Sequence, residues 1–206
     1  MHASYKVIAV AVLAHALGAS AVEAKPLKIV TVGAPAINCV FNPTCRLTVT
    51  DSSGNLDMPF LATPGTAWLQ SRTFSGEPGT PGAGLTGYEY RLSMTQAAGF
   101  SDCVLGLVLE FGPVKQLPYT PGTLSDIYVV TAGGVGTVGL KSADQEGNII
   151  TFEFDKPVCV PPAPSSTATT YFFGLASSEP PKGIGAGLFA SGRPRYYSVD
   201  ARAPNH

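Results

Sequence analysis

Histidine is scarce in this sequence, and the three that occur lie where a folded site is not expected. They are His2, His15 and His206, so two stand near the amino terminus and one is the last residue. Serine triads, Cys–His pairs and histidine-based metal sites all need an imidazole that is held rigidly. Because chain ends are usually frayed, we expect none of these mechanisms. The sequence therefore favours a protein that is not an enzyme.

Charged residues are also few, at 13% of the chain, and their signs nearly balance. The 13 Lys and Arg residues stand against 14 Asp and Glu residues, which gives a formal net charge of −1. The basic residues are scattered singly, which argues against binding to a nucleic-acid backbone. Disordered chains combine high net charge with low hydrophobicity, whereas 45% of these residues are hydrophobic. We expect a folded protein with no nucleic-acid partner.

Long hydrophobic runs are missing except for Val7–Leu17. Lys6 precedes this run, and the small-residue segments ending at Ala21 and Ala24 are two candidate cleavage sites. A membrane anchor is the alternative, but a spanning helix needs about 20 apolar residues, roughly twice this run. The sequence predicts a signal peptide over residues 1–24 and one domain over residues 25–206. We expect a secreted or periplasmic protein with no membrane span after the signal is removed.

Four cysteines follow the predicted signal, namely Cys39, Cys45, Cys103 and Cys159. An even number of cysteines in an exported chain favours disulfides, and three pairings are possible. The turn pair Asn42-Pro43 lies between Cys39 and Cys45, which favours that pairing and leaves Cys103 with Cys159. A zinc site is the alternative, but the spacings lack the close pairs that zinc sites usually show.

The sequence after residue 25 is dominated by strand periodicity. Gly87–Met94 alternates, with Tyr88, Tyr90, Leu92 and Met94 on one face and the polar residues on the other. Gly- and Pro-rich turns separate about ten such short segments, which is typical of a sandwich or barrel. We predict an all-β fold, a disulfide-bonded antiparallel β-sandwich with a jelly-roll-like arrangement. The other predicted strands are Lys28–Val32, Arg46–Thr50, Ala67–Phe74, Val104–Phe111, Ile127–Thr131, Asn148–Phe154, Thr170–Ala176, Ile184–Ala190 and Tyr196–Ala201.

Glycines at positions 134, 136 and 139 match the spacing of a dinucleotide-binding motif. That motif works by placing a pyrophosphate at the start of a helix inside a βαβ unit. Here no helical periodicity follows the glycines, and another strand is predicted instead. We therefore interpret the segment as a glycine-rich loop or a closely packed strand.

A calcium ion is the one cofactor that the sequence suggests. Asp51, Asn55 and Asp57 place oxygen ligands at alternate positions, as calcium-binding loops do, although the glycine and glutamate of an EF-hand are missing. The alternative is a plain turn, since Asp, Ser, Gly and Asn are the usual turn formers. The segment Asp144–Asn148 allows the same two interpretations.

Paired carboxylates are the catalytic chemistry that remains open. Glycoside hydrolysis needs two acids about 5–10 Å apart across the scissile bond. Glu110, Glu153 and Asp155 lie in or beside predicted strands, and Glu89 is on the outward face of another. The alternative is that such acids are solvated or paired across strands, for instance with Arg91.

Aromatic residues supply the candidate binding surface. Trp68, Tyr119 and Tyr197 are the candidates, because exposed aromatic rings often pack against the C–H face of a sugar. Since most aromatic residues of a sandwich are core residues, burial is the alternative for each. Tyr196 and Tyr197 point to opposite faces of a strand, so we expect one of them to be exposed.

Two segments, Gly87–Leu92 and Phe172–Pro181, resemble parts of uncharacterised secreted bacterial β-sandwich domains. The resemblance implies an exported sandwich and implies no activity and no binding residues. The predicted function is therefore a secreted, non-enzymatic module that binds a surface carbohydrate or a surface protein. The alternatives are a carboxylate-dependent hydrolase of extracellular polysaccharide and a purely structural envelope protein.

Overall fold

The computed structural model describes residues 24–99, 102–191 and 195–206. The predicted signal peptide lies outside the described residues, apart from Ala24. The described chain is built from strands and contains one short 3-10 helix, Ala36–Val40. The strands are β1 (Lys25–Pro26), β2 (Ile29–Gly33), β3 (Thr50–Asn55), β4 (Trp68–Ser75), β5 (Thr86–Ser93), β6 (Cys103–Glu110), β7 (Leu117–Thr120), β8 (Thr123–Ser125), β9 (Ile127–Ala132), β10 (Leu140–Glu146), β11 (Ile149–Cys159), β12 (Phe173–Ser177), β13 (Pro181–Ala190) and β14 (Arg195–Pro204).

Two six-stranded sheets form the sandwich, which confirms the predicted fold class. The first sheet has the order β1-β10-β11-β6-β13-β14, and the second has the order β2-β9-β12-β5-β4-β3. Strands β7 and β8 form a separate hairpin. All pairs are antiparallel except β2 with β9, which are parallel. The described strands outnumber the ten expected because several of them are too short to produce a periodic pattern.

The main core lies between the two sheets. Strand β5 contributes Tyr88, Tyr90 and Leu92, as its alternation predicts, and the first sheet contributes residues such as Leu107 and Phe152. Each large apolar side chain that is fully buried stabilises the fold by about 1.5–3 kcal/mol. The side chains on the facing sides of both sheets therefore hold the sandwich together.

Both predicted disulfides are present. Cys103 and Cys159 are cross-strand partners in β6 and β11, and their bond closes a loop with a sequence separation of 56 residues. Cys39 and Cys45 are bonded with a sequence separation of 6 residues. No free cysteine occurs among the residues that the structure describes.

A second, smaller core lies on the outer face of the second sheet. Residues 34–49, here called the cover segment, contain the 3-10 helix and the Cys39–Cys45 disulfide. Phe41 of this segment packs edge-on against Phe74 of β4, with ring centroids 4.9 Å apart. The β7–β8 hairpin adds Tyr119, and the sheet adds Tyr128, to the same cluster. The cover segment therefore shields part of a sheet face that would otherwise be open to solvent.

One predicted turn is wrong. Residues 51–55 were expected to form a turn but belong to edge strand β3, in which Asp51 pairs with Arg72 of β4. The polar residues that favour turns are accommodated here because most of them face solvent and β4 supplies the hydrogen bonds. The preceding residues, 46–49, were predicted as a strand and instead complete the cover segment. In the described ranges, no helix has the length and apolar character that a membrane span requires.

Candidate functional site

A cleft lies on the outer face of the second sheet, beside the cover segment. It has a volume of about 500 Å³. Strand β4 supplies Arg72, strand β5 supplies Glu89 and Arg91, and Phe172 lies immediately before β12. Because Tyr88, Tyr90 and Leu92 face the core, alternation directs Glu89 and Arg91 to this opposite face. The cover segment closes one side of the cleft with residues such as Ile37 and Leu47.

The cross-strand register produces a row of polar groups under the cleft. Asp51, Arg72 and Glu89 are successive partners on β3, β4 and β5, and Gly174 of β12 follows Glu89. Tyr128 of β9 pairs with Gly174, and its hydroxyl donates a hydrogen bond to Glu89 Oε1 at 2.9 Å. The Arg72 Nε lies 2.9 Å from Asp51 Oδ1, so this cation already has a counter-charge.

Glu89 forms the floor of the cleft and is only 6% exposed. Burial raises the pKa of Glu89 because the ionised form loses its hydration, and the charge of Asp51 raises it further. The Tyr128 hydrogen bond and the charge of Arg72 act in the opposite direction, and burial is the larger effect. Glu89 therefore keeps its proton to a higher pH than an ordinary glutamate.

Arg91 is held between two aromatic rings. Its guanidinium carbon lies 4.9 Å from the centroid of the Trp68 ring and 4.9 Å from that of Phe172. Partial burial, together with the like charge of Arg72, lowers the pKa of Arg91, and the charge of Asp51 opposes this shift. Arg91 has no ion pair within the described part of the chain, and its buried Nε has no hydrogen-bond partner there. The cleft therefore contains a positioned cation that forms no ion pair with the described residues.

A second depression continues the cleft. It has a volume of about 380 Å³ and shares Arg91 and Val135 with the first. Its other lining residues are mostly polar and include Thr95, Gln96, Ser165, Ser166 and Thr169. We call the cleft and this depression together the groove. It runs from the cover segment past Arg91 to a region rich in hydroxyl groups.

The predicted glycine-rich loop forms one wall of the groove. Residues 133–139 connect β9 and β10, which confirms the loop interpretation, and Gly134, Val135 and Gly136 line the groove. Gly136 has a positive φ of 116°, and a Cβ at this position would overlap the carbonyl oxygen of Thr170. The glycines therefore allow the loop to lie close against the sheet.

The three predicted binding aromatics are not brought together. Trp68 is half-buried and contacts Arg91 at the groove. Tyr119 is 5% exposed, and its ring centroid is 4.7 Å from that of Tyr128, so it is a core ring. Tyr197 lies in the first sheet, half-buried, and its hydroxyl donates a hydrogen bond to Asp102. Its neighbour Tyr196 is the exposed member of that pair, at 69%.

The predicted calcium ligands do not lie on a loop. Asp51 and Asn55 belong to strand β3, and Asp57 follows it. The Asp51 carboxylate accepts hydrogen bonds from Gln70 and Arg72. In the part of the chain that the structure describes, no group of three or more His, Cys, Asp or Glu residues is arranged to hold a metal ion. Calcium binding stays a prediction that has lost the loop geometry on which it was based.

The predicted carboxylates lie on different faces of the sandwich. Glu110 and Glu153 lie outward on the first sheet, and the Lys141 Nζ donates to Glu153 at 2.8 Å. Glu89 faces outward on the second sheet, so neither of the other two lies near it. His206 was expected to be frayed, but its Nε2 lies 3.5 Å from Glu110 on the first sheet.

Sequence reasoning missed Arg72 and Phe172 as members of the site. The alternation of Trp68, Gln70 and Arg72 in β4 could have placed Arg72 on the same face as Arg91, but it could not show that a cleft exists there. Phe172 gave no comparable signal, because an aromatic residue beside a strand is usually a core residue.

No protein-family model matches the chain, and no curated protein or solved structure is significantly similar to it. The fold alone does not identify a function, because sandwiches carry many unrelated activities. The function is therefore inferred from the residues that line the groove.

Proposed function

We propose that this protein is an exported, non-enzymatic module that binds a surface carbohydrate in the groove. The observation that carries the proposal is the continuity of the groove through Arg91 and Val135, which line both of its halves. Each half has a volume in the range of small-molecule sites, about 300–1,000 Å³. A ligand with several linked polar units would use both halves at once.

The lining favours a sugar over a protein partner. Interfaces in protein complexes are enriched in aromatic residues and Arg and are depleted in Ser. Arg72 and Arg91 at the centre of the groove, with Phe172 buried beneath both guanidinium groups, would suit either kind of partner. The adjoining half presents hydroxyl and amide groups, from Ser166 and Gln96 among others, which match the hydroxyls of a sugar. Two disulfides fit the oxidising compartment that the proposal requires.

The carboxylates favour binding over hydrolysis. A glycosidase needs two acids that flank the bond it cleaves. Glu89 is the one carboxylic acid among the described residues that line the groove, and it is a floor residue. A sugar held here would meet hydrogen-bond donors and a guanidinium, but it would not meet an acid–base pair.

A glycan array tests the proposal with one blocked variant and one matched control. Val135 is 49% exposed and lines both halves of the groove, so Val135→Trp should obstruct it. Leu124 is 55% exposed on the β7–β8 hairpin and lines neither half, so Leu124→Trp adds the same ring elsewhere. We expect the wild type and Leu124→Trp to bind the same glycans and Val135→Trp to bind none. Failure of the wild type to bind any glycan would contradict the proposal, as would unimpaired binding by Val135→Trp.

A further inference from the structure

One of the two cations along the groove forms no ion pair with the described residues. Arg72 and Arg91 are the two cations of the lining, and Asp51 neutralises Arg72 from outside it. Arg91 forms no ion pair in the described ranges, although it is partly buried, and the charge of Asp51 reaches it only without direct contact. A partly buried guanidinium without an ion pair is unfavourable, because it loses hydration and does not regain a contacting counter-charge. A bound anion would supply the missing charge.

The position of Arg91 suits the capture of a planar anion. The Trp68 and Phe172 rings restrict the guanidinium by packing against it, and they do not accept hydrogen bonds as an oxygen does. The Nε–H is buried, so the terminal N–H groups are the donors that remain available to a ligand, and the two rings fix their orientation. A guanidinium with restricted geometry binds a carboxylate through two parallel hydrogen bonds, which a lysine cannot do. Arg91 also adjoins both halves of the groove, so an anion placed there lies at its centre.

Glu89 does not oppose such an anion as an ordinary glutamate would. Burial raises the pKa of Glu89 and outweighs the opposing effect of the Tyr128 hydrogen bond. At a given pH, Glu89 is therefore ionised to a smaller extent than an ordinary glutamate and repels an incoming carboxylate less. The buried acid is therefore compatible with an anionic ligand directly above it.

We infer that the groove binds a polysaccharide containing uronic acid residues, with the sugar carboxylate paired to Arg91. This inference rests on the proposed carbohydrate-binding function and names its ligand class. The hydroxyl-rich half, with Thr95, Ser165 and Ser166, takes the neighbouring sugar of the polymer. Arg72 remains with Asp51 and supports the orientation of Phe172, over whose ring centroid its guanidinium carbon lies at 4.2 Å.

The inference can be tested on the wild-type protein by calorimetric titration with three hexasaccharides. The probes are an oligogalacturonate, its fully methyl-esterified form and a neutral cello-oligosaccharide. We expect the oligogalacturonate to bind at least about tenfold more tightly than either of the others, because only it carries a carboxylate for Arg91. Equal affinity for the acid and its ester would overturn the inference.

Substitutions of Arg91 test whether the carboxylate of the sugar binds at this residue. Arg91→Gln should weaken oligogalacturonate binding by about tenfold or more, and Arg91→Lys should recover only part of it because the two-bond geometry is lost. Lys182→Gln removes a cation from the first sheet and should change nothing. If a neutral glycan binds and Arg91→Gln has no effect, the carbohydrate function stands and the inference fails. If no glycan binds, acidic or neutral, both fail.

Discussion

The hydroxyl of Tyr128 donates to Glu89 across an intervening strand, with the two oxygens 2.9 Å apart. Strand β12 lies between them, and its residue at the crossing point is Gly174. A Cβ at this position would lie 2.5 Å from both Cζ and the hydroxyl oxygen of Tyr128. The absence of a side chain at residue 174 is therefore what allows the tyrosine to reach the floor of the groove.

Gly174→Ala should destabilise the protein by about 1–3 kcal/mol, because the added methyl group overpacks a fully buried tyrosine. The free energy of unfolding in urea measures this. Gly183→Ala is the matched control, since a Cβ there meets nothing within 4 Å, and its effect should stay within about 0.5 kcal/mol. If the two substitutions changed the free energy of unfolding equally, the close passage of the Tyr128 side chain over Gly174 would be contradicted.

Glu89→Gln should increase stability at high pH and not at low pH. Because the pKa of Glu89 is raised in the fold, the native state holds its proton more tightly than the unfolded state. The stability of the wild type therefore falls as the pH rises from about 4, the ordinary glutamate range, through the raised value. Glutamine does not ionise and still accepts the Tyr128 hydrogen bond. Thermal unfolding from pH 4 to pH 8 should show melting temperatures that agree at pH 4 and diverge in favour of the variant as pH rises.

Glu153→Gln is the control of opposite sign for that experiment. The hydrogen bond from Lys141 lowers the pKa of Glu153, so its contribution is present at neutral pH and is lost as the pH falls. This variant should be slightly less stable than the wild type near pH 7 and equal to it in acid. If the melting temperatures of both variants, relative to the wild type, changed with pH in the same direction, the burial of Glu89 would not raise its pKa.

The two disulfides should differ in what they stabilise. Loop-closure entropy predicts a loss of about 4 kcal/mol for Cys103→Ala/Cys159→Ala and about 2 kcal/mol for Cys39→Ala/Cys45→Ala. The difference follows from sequence separations of 56 and 6 residues. Only the second pair lies in the cover segment, whose Ile37 and Asn38 line the groove. Urea unfolding should rank the pairs in that order, while glycan binding should be impaired mainly by the second, and the reverse ranking would count against this account.

Local patterns in the sequence were enough to predict the class of fold and the disulfides. Strand β5 and its core face confirm what the alternation of Gly87–Met94 predicts. The Cys39–Cys45 bond confirms the pairing that the Asn42-Pro43 turn predicts. The turn predicted at residues 51–55 is wrong. Asp, Ser, Gly and Asn favour turns, but pairing with β4 makes this segment a strand. Propensity describes a segment alone, and tertiary pairing overrides it.

The groove could not be predicted in the same way. Alternation directs Glu89 and Arg91 away from the core, and the expected outcome for such residues is exposure or a direct pair. In the structure, Glu89 is buried because the cover segment and Phe172 close over that face. These contacts join parts of the chain that are far apart in sequence, so the hydrophobic periodicity of a single segment cannot predict them.

The packing of β14 also has a consequence for how the protein comes to be folded. The Arg202 amide donates to Ser71 Oγ across 131 residues, and its Nε donates to Ser52 Oγ across 150 residues. Contacts between such distant positions form slowly, because a large loop must close first. A chain synthesised from its amino end lacks these partners for β3 and β4 until Arg195–Pro204 appears. The junction between the two sheets at this edge is therefore completed only when strand β14 has been made.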